Sequence, residues 1–187
     1  MARAICIRFR NAASNYMRAS KYKVLGIAEY YAEAVEKLRK AGDCVIVERS
    51  GAQRQLVVKC PDGCGETLSI NLDRRSGPAW RLYKRRGTWS LFPSIDKPTG
   101  CNSHFILSRG KIVWCDWWDW HDDQGVEEYL EIVKLYLVDR DSTSFVEIAG
   151  QLDADPWDIL GACKALVRKG IAEEGRGLLR GHFRLKT

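Results

Sequence analysis

Cys60-Pro61-Asp62-Gly63-Cys64-Gly65-Glu66 and, further on, Gly100-Cys101-Asn102-Ser103-His104-Phe105 decide how this chain is read. Each is a short turn-rich stretch bearing two soft metal ligands. Zinc takes four thiolate or imidazole ligands in a tetrahedron, and structural sites commonly draw them as close pairs from two loops. Cys60 and Cys64 form one pair, and Cys101 and His104 form the other. Gly63 and Gly65 let the first loop bend back without a Cβ clash, so that amides can approach the sulfurs. Cys115 competes with His104 as fourth ligand. Cys6, Cys44 and Cys163 sit in apolar patterns and read as core residues.

Working outward, the loops are bounded by β-type patterns. Cys44–Glu48 and Gln55–Lys59 flank Ser50-Gly51 as a hairpin. Leu68, Ile70 and Leu72 alternate with polar residues. Ala79–Tyr83, Thr88–Phe92, Phe105–Leu107 and Lys111–Cys115 are further strands, with turns at Arg86-Gly87 and Arg109-Gly110. Before this region, Ile27, Tyr30, Tyr31, Ala34, Val35 and Leu38 recur at helical spacing, and Gly42 ends the run.

After it, Tyr129, Ile132, Val133, Tyr136 and Leu137 form one helical stripe, and Phe145–Leu152 forms a second short helix. Asp155-Pro156 opens a third, with the carboxylate placed to cap and proline at the first turn. Ile171–Glu173 and His182–Leu185 then bracket a Gly-Arg-Gly turn. Three helices followed by a hairpin is the order of a winged helix-turn-helix. The expected fold is therefore α+β: a small zinc-stapled antiparallel β domain with an N-terminal helix, followed by a C-terminal winged helix-turn-helix. The expected boundaries are 1–43, a basic segment with a helix, 44–120, the zinc-binding β domain, and 121–187.

Composition narrows the function. The chain has 187 residues, 45% of them hydrophobic, with seven tryptophans, enough to bury a core. An odd count of seven cysteines, paired near a histidine, fits a reducing cytoplasmic compartment and metal rather than disulfides. No apolar run approaches the ~18 residues of a spanning helix, so no membrane role is expected. The net charge of +6 is uneven. Residues 1–59 hold 12 basic and 5 acidic residues, whereas residues 121–187 hold 9 and 13. Asp153, Asp155 and Asp158 crowd the start of the third C-terminal helix, where they would repel phosphates. DNA is thus a disfavoured partner and protein a favoured one. Trp114, Trp117, Trp118 and Trp120, interleaved with Asp116 and Asp119, are read as a packing cluster.

Two chemistries compete around the ligand loops. In the first, Glu66 follows Cys64 by two residues, so in extended chain both side chains point the same way. Such a carboxylate can take a proton from metal-bound water, provided a coordination position stays open. In the second, Ser94 or Ser103 is a nucleophile activated by His104. His104 cannot both complete the metal site and act as that base. His121 is a spare base.

The motifs in this order, with Ile70-Asn71-Leu72-Asp73, Ala79-Trp80-Arg81-Leu82-Tyr83 and Pro93-Ser94-Ile95 between the ligand loops, resemble a bacterial zinc-binding domain family of formerly unknown function. Its members lie beside E1-like, E2-like and ubiquitin-like genes in antiviral-defence loci. The resemblance covers about residues 44–118 and fades in the tryptophan-rich stretch, which leaves Cys115 without support from it. By position it carries over Cys60, Cys64, Glu66, Ser94, Cys101, Ser103 and His104. It implies a role in a ubiquitin-like conjugation pathway, with a ubiquitin-like protein or its E1/E2-like enzymes as partners. The expected function is a zinc-binding hydrolase, a peptidase or deconjugating enzyme that trims or removes the modifier. Metal would sit on Cys60, Cys64, Cys101 and His104; Glu66 is the preferred general base and Ser94 the alternative nucleophile, with Ser103 and His104 as further catalytic candidates. The alternative is a non-enzymatic zinc-stapled adaptor or a DNA-binding regulator of the same locus.

Overall fold

A computed structural model describes residues 18–115 and 126–186. They divide into two compact units at that break. Cys6, the basic residues before Arg18, Trp117, Trp118, Trp120 and His121 lie outside the described residues.

The first unit is built on two sheets. One has the order β1-β2-β3-β4, from Lys23–Ala28, Asp43–Arg49, Ala52–Lys59 and Thr67–Asn71. β1 runs parallel to β2, and the other pairs are antiparallel. The second sheet has the order β5-β6-β8-β7, with β9 also on β8. Its strands are β5 Arg81–Arg85, β6 Thr88–Phe92, β7 Ile95–Asp96, β8 His104–Ser108 and β9 Lys111–Trp114.

Period-two alternation sorts the side chains of β2 and β3 into two layers. Cys44, Ile46, Leu56 and Val58 face the second sheet and pack with Leu91, Ile95, Phe105, Leu107 and Ile112. Val45, Val47 and Val57 face the other way, onto Ala34 and Leu38 of and just after the helix α1, Tyr31–Lys37. The result is a helix, a sheet and a second sheet in three layers, with the main core between the sheets. The Tyr22 hydroxyl donates to the Trp89 carbonyl and ties the start of the chain to β6.

The helical stripe starting at Ile27 is split in the structure. Ile27 belongs to β1, opposite Ile46, and the helix spans only Tyr31–Lys37. The parallel edge of β2 offers main-chain hydrogen bonds to the segment before Tyr30, which outweigh weak local helical preference. Gly42 closes the return loop at φ +87°, where a Cβ would sit 2.6 Å from the Lys21 carbonyl oxygen.

The second unit has the order α2, β10, α3, α4, β11, β12. The elements are Glu127–Tyr136, Thr143–Ser144, Phe145–Gln151, Pro156–Arg168, Ala172–Glu174 and His182–Leu185. The three strands pair as β10-β12-β11, all antiparallel. The Ser144 hydroxyl accepts from the Glu147 amide to start α3, and the Asp155 carboxylate accepts from the Trp157 amide to start α4. α4 is buried along most of its length, Asp158 included. Among the described residues, no helix is long and apolar enough to cross a membrane.

Candidate active site

The first ligand loop leaves the end of β3. The Cys60 amide donates to the Glu66 carbonyl at 2.9 Å, and the Gly63 amide to the Cys60 carbonyl at 3.2 Å. These bonds fold residues 60–66 into a tight knuckle, in which Gly63 and Gly65 take φ of +85° and +82°. Asp62 is fully buried under the knuckle, with one oxygen 3.3 Å from the Arg18 guanidinium.

The second loop connects β7 to β8. It brings Cys101 against the knuckle, and the sulfurs of Cys60, Cys64 and Cys101 lie within 4.8 Å of one another. Cys60 and Cys101 are 3.7 Å apart. Two sulfurs bound to one tetrahedral zinc at ~2.3 Å each stand about 3.8 Å apart, so this pair has the separation a shared zinc requires. The donor set is soft and half-buried, which suits the same ion. Three cysteines are therefore placed to bind a metal. His104 and Cys115 stand outside this group.

The electrostatics around the thiols are unequal. Burial, assisted by the Cys64 and Cys101 thiols, pushes Cys60 up to about 12 against a lowering backbone hydrogen bond at Asp62. Burial also acts to raise Cys101. Hydrogen bonds with Ser103, Cys64 and Cys60, and the nearby Lys97 ammonium, outweigh it and bring that thiol below its ordinary value. Ser103 is fully buried, with its hydroxyl 2.9 Å from the Cys101 sulfur. Its side chain thus lies against the sulfur cluster.

Glu66 faces a cation. Its carboxylate lies 2.8 Å from the Lys97 ammonium. The hydrogen bond to Glu66 is the main reason the lysine is shifted up, partly opposed by desolvation. Gly100, at φ +68°, leaves room for this pair, since a Cβ there would meet the Lys97 nitrogen at 2.5 Å and Glu66 Oε1 at 2.7 Å. Glu66 thus clamps the first ligand loop to the second.

His104 meets Ser94 instead of the sulfurs. Its Nε2 is 2.9 Å from the Ser94 hydroxyl oxygen. Both side chains are half-buried. Ser94 follows the cis peptide Phe92–Pro93 between β6 and β7, and its carbonyl accepts a hydrogen bond from the Trp80 indole at 3.2 Å. β7 and β8 are antiparallel with Asp96 opposite His104, so Ser94, two residues before Asp96, shares its face of the sheet. With the imidazole proton on Nδ1, Nε2 accepts from the hydroxyl, the arrangement in which a serine is made nucleophilic.

Residues 31–115 match the model of a family described as bacterial ubiquitination-like system serine protease (BubE). The match runs from α1 through the last residue after β9 and so spans both ligand loops, Ser94 and His104. It covers less than half of the 187 residues and none of the second unit. No curated protein and no solved structure matches the chain. The BubE description names serine chemistry, and the one serine–histidine hydrogen bond among the described residues is that of Ser94 and His104.

The sequence signal missed Lys97. Nothing in Ile95-Asp96-Lys97-Pro98 marks it, because its importance comes from the fold bringing Glu66 across from another loop.

Proposed function

We propose that this protein is a serine peptidase that processes a ubiquitin-like modifier, or removes it from its targets, in a bacterial ubiquitination-like pathway. The observation that carries the reading is the 2.9 Å contact between the Ser94 hydroxyl and His104 Nε2. The serine-protease description of the matching family supports it.

The chemistry follows from the dyad. His104 Nε2 takes the Ser94 proton as Oγ adds to the carbonyl carbon of the scissile bond. The imidazolium then gives that proton to the leaving amine, the C–N bond breaks, and an acyl-Ser94 ester remains. A water attacks the ester with His104 again as base, the acid product leaves, and Ser94 regains its proton. The same steps cleave an ester-linked or an amide-linked conjugate.

Zinc is the proposed metal, held by Cys60, Cys64 and Cys101, and its contribution when bound is to cross-link the two ligand loops. The loop that holds Cys101 also leads directly into His104, so fixing the sulfur fixes the entry of β8. Glu66 is proposed as a clamp: a carboxylate already paired with an ammonium is poorly suited to take a proton from water. Ser103 supports Cys101.

For the second unit we propose a winged helix that contacts protein, such as the modifier or its E1- or E2-like enzymes. The element order and the β10-β12-β11 pairing support the fold. The burial of α4 speaks against DNA reading, because a recognition helix needs an exposed face to enter the major groove.

The test is to incubate the protein with a ubiquitin-like protein bearing a C-terminal extension and to read the products by mass spectrometry. A trimmed product lost in Ser94→Ala and His104→Ala, and retained in Glu66→Gln, is expected. Cleavage that survives Ser94→Ala, or no cleavage by the wild type, rejects the reading.

A further inference from the structure

We infer that the outer edge of β7 binds the substrate as an added β-strand, anchored on the main chain of Asp96. The inference rests on the serine-peptidase reading and specifies how that site takes hold of its substrate.

The direction of the Asp96 main chain follows from the register. Asp96 lies opposite His104 in an antiparallel pair, and the next amide, Lys97, donates to the Ser103 carbonyl at 2.8 Å. Successive residues along a strand point their N–H and C=O groups to opposite edges, so Asp96, next to the bonded Lys97, is the non-hydrogen-bonded member of this ladder. Its N–H and C=O are directed away from β8. The partner residue obeys the same rule, because the His104 carbonyl accepts from Cys115 on the β9 side at 2.9 Å. Among the described residues β7 pairs with β8 alone, and Asp96 is exposed.

This short edge ends at the nucleophile. Ser94, two residues back, carries the Oγ that meets His104, and its carbonyl is already occupied by the Trp80 indole. An extended peptide laid antiparallel along β7 would exchange two main-chain hydrogen bonds with Asp96 and leave the edge beside Ser94, where the Trp80 indole ends it. Strand addition of this kind recognises main chain before side chain. It suits a tail that is extended and poor in side-chain handles. A second copy of this chain is the other conceivable occupant. An edge of two residues, Ile95–Asp96, is too short to hold two sheets together.

Two experiments test the inference. The first uses a ten-residue synthetic peptide spanning the bond cut in the extended ubiquitin-like protein, with single N-methyl groups scanned along its main chain. Strand addition on this short edge predicts a single sensitive position flanked by insensitive ones. Methylation of the residue paired with Asp96 lowers kcat/KM by about three- to tenfold, and methylation of its neighbours does not. A flat response, or a loss spread over adjacent positions, overturns the inference while leaving the peptidase reading intact.

The second compares Asp96→Pro with Asp96→Asn. Proline removes an amide that points outward, which an edge strand tolerates. The thermal midpoint and the labelling of Ser94 by a fluorophosphonate should therefore match wild type, with KM raised for Asp96→Pro and little changed for Asp96→Asn. Equal kinetics for Asp96→Pro and wild type overturn the inference. So does a concentration-dependent dimer that Asp96→Pro dissociates without a change in peptide kinetics. Wild-type protein that neither cleaves the peptide nor takes up the fluorophosphonate rejects the peptidase reading and this inference with it.

Discussion

The Glu66 carboxylate and the Lys97 ammonium are 2.8 Å apart, and this pair joins the two loops that carry the clustered cysteines. The glutamate side chain is half exposed, so solvent screens the interaction, and exposed pairs contribute only ~0–1 kcal/mol. Glu66→Gln should lower the melting temperature by no more than a few degrees and keep peptidase activity within about threefold of wild type. A loss of ~100-fold or more in that variant would restore Glu66 as a proton-transfer group.

Ser94 and His104 act as a unit in the proposed chemistry, so their losses should not add. Ser94→Ala and His104→Ala are each expected to reduce kcat by about 10³-fold or more, and the double variant by about the same factor. Covalent labelling of Ser94 by a fluorophosphonate, read by peptide mass spectrometry, should disappear in His104→Ala. Labelling at Ser103 instead would move the nucleophile to the buried hydroxyl beside Cys101.

Purified protein is expected to hold about one zinc per chain by elemental analysis. Cys60→Ser, Cys64→Ser and Cys101→Ser should each lose it and lower the melting temperature, since binding to a folded site adds to folding stability. Acid should release the metal. Without metal the Cys60 thiol is pushed up to about 12, so near neutral pH binding must displace its proton. Apparent affinity should therefore fall by at least about tenfold per pH unit on acidification. Affinity that does not change with pH would mean that Cys60 is not a ligand.

The metal-free protein should behave in the opposite sense at alkaline pH. Burial raises the thiols of Cys44, Cys60 and Cys163 above their ordinary value, with Cys163 reaching about 12. In each case the folded state favours the protonated form. The associated stability is complete below the unfolded thiol pKa of 9.0 and is lost as pH rises from there toward the folded values. Chemical denaturation of chelator-treated protein across pH 8–11 should show a declining midpoint. A midpoint that holds steady across that range would contradict the burial of these thiols.

Two glycines distinguish a rigid neighbour from a flexible one. Gly42→Ala would set a Cβ 2.6 Å from a backbone oxygen at Lys21 and is expected to cost more than ~2 kcal/mol. Gly100→Ala meets only the flexible ends of Lys97 and Glu66, so its cost is mainly the left-handed backbone, about 1 kcal/mol. Denaturant midpoints for the two variants check the ranking.

Much of the architecture is legible in local pattern. β6 and β12 have the expected limits, and Asp155 caps α4 as its place before Pro156 implies. These features depend on neighbours in sequence, so periodicity and capping reveal them. The segment around Ile27 is different, because its strand exists only through pairing with β2. The same divide runs through the site. Cys60, Cys64 and Cys101 are recognisable from spacing, whereas Asp96 becomes informative only once its register against His104 is known.

The sequence by itself determined which groups are available: thiols in turn-forming loops, one histidine beside them, and serines within reach along the chain. It left His104 open to either metal or serine, because spacing constrains the chain and not the direction of a ring. The tertiary structure decided that direction. The antiparallel register of β7 and β8 puts Ser94 and His104 on one face of the sheet, and the imidazole meets the hydroxyl there. The return loop puts Cys101 on the sulfur cluster. A strand's pleat sends successive side chains to opposite faces, and only the pairing of distant strands determines which residues meet.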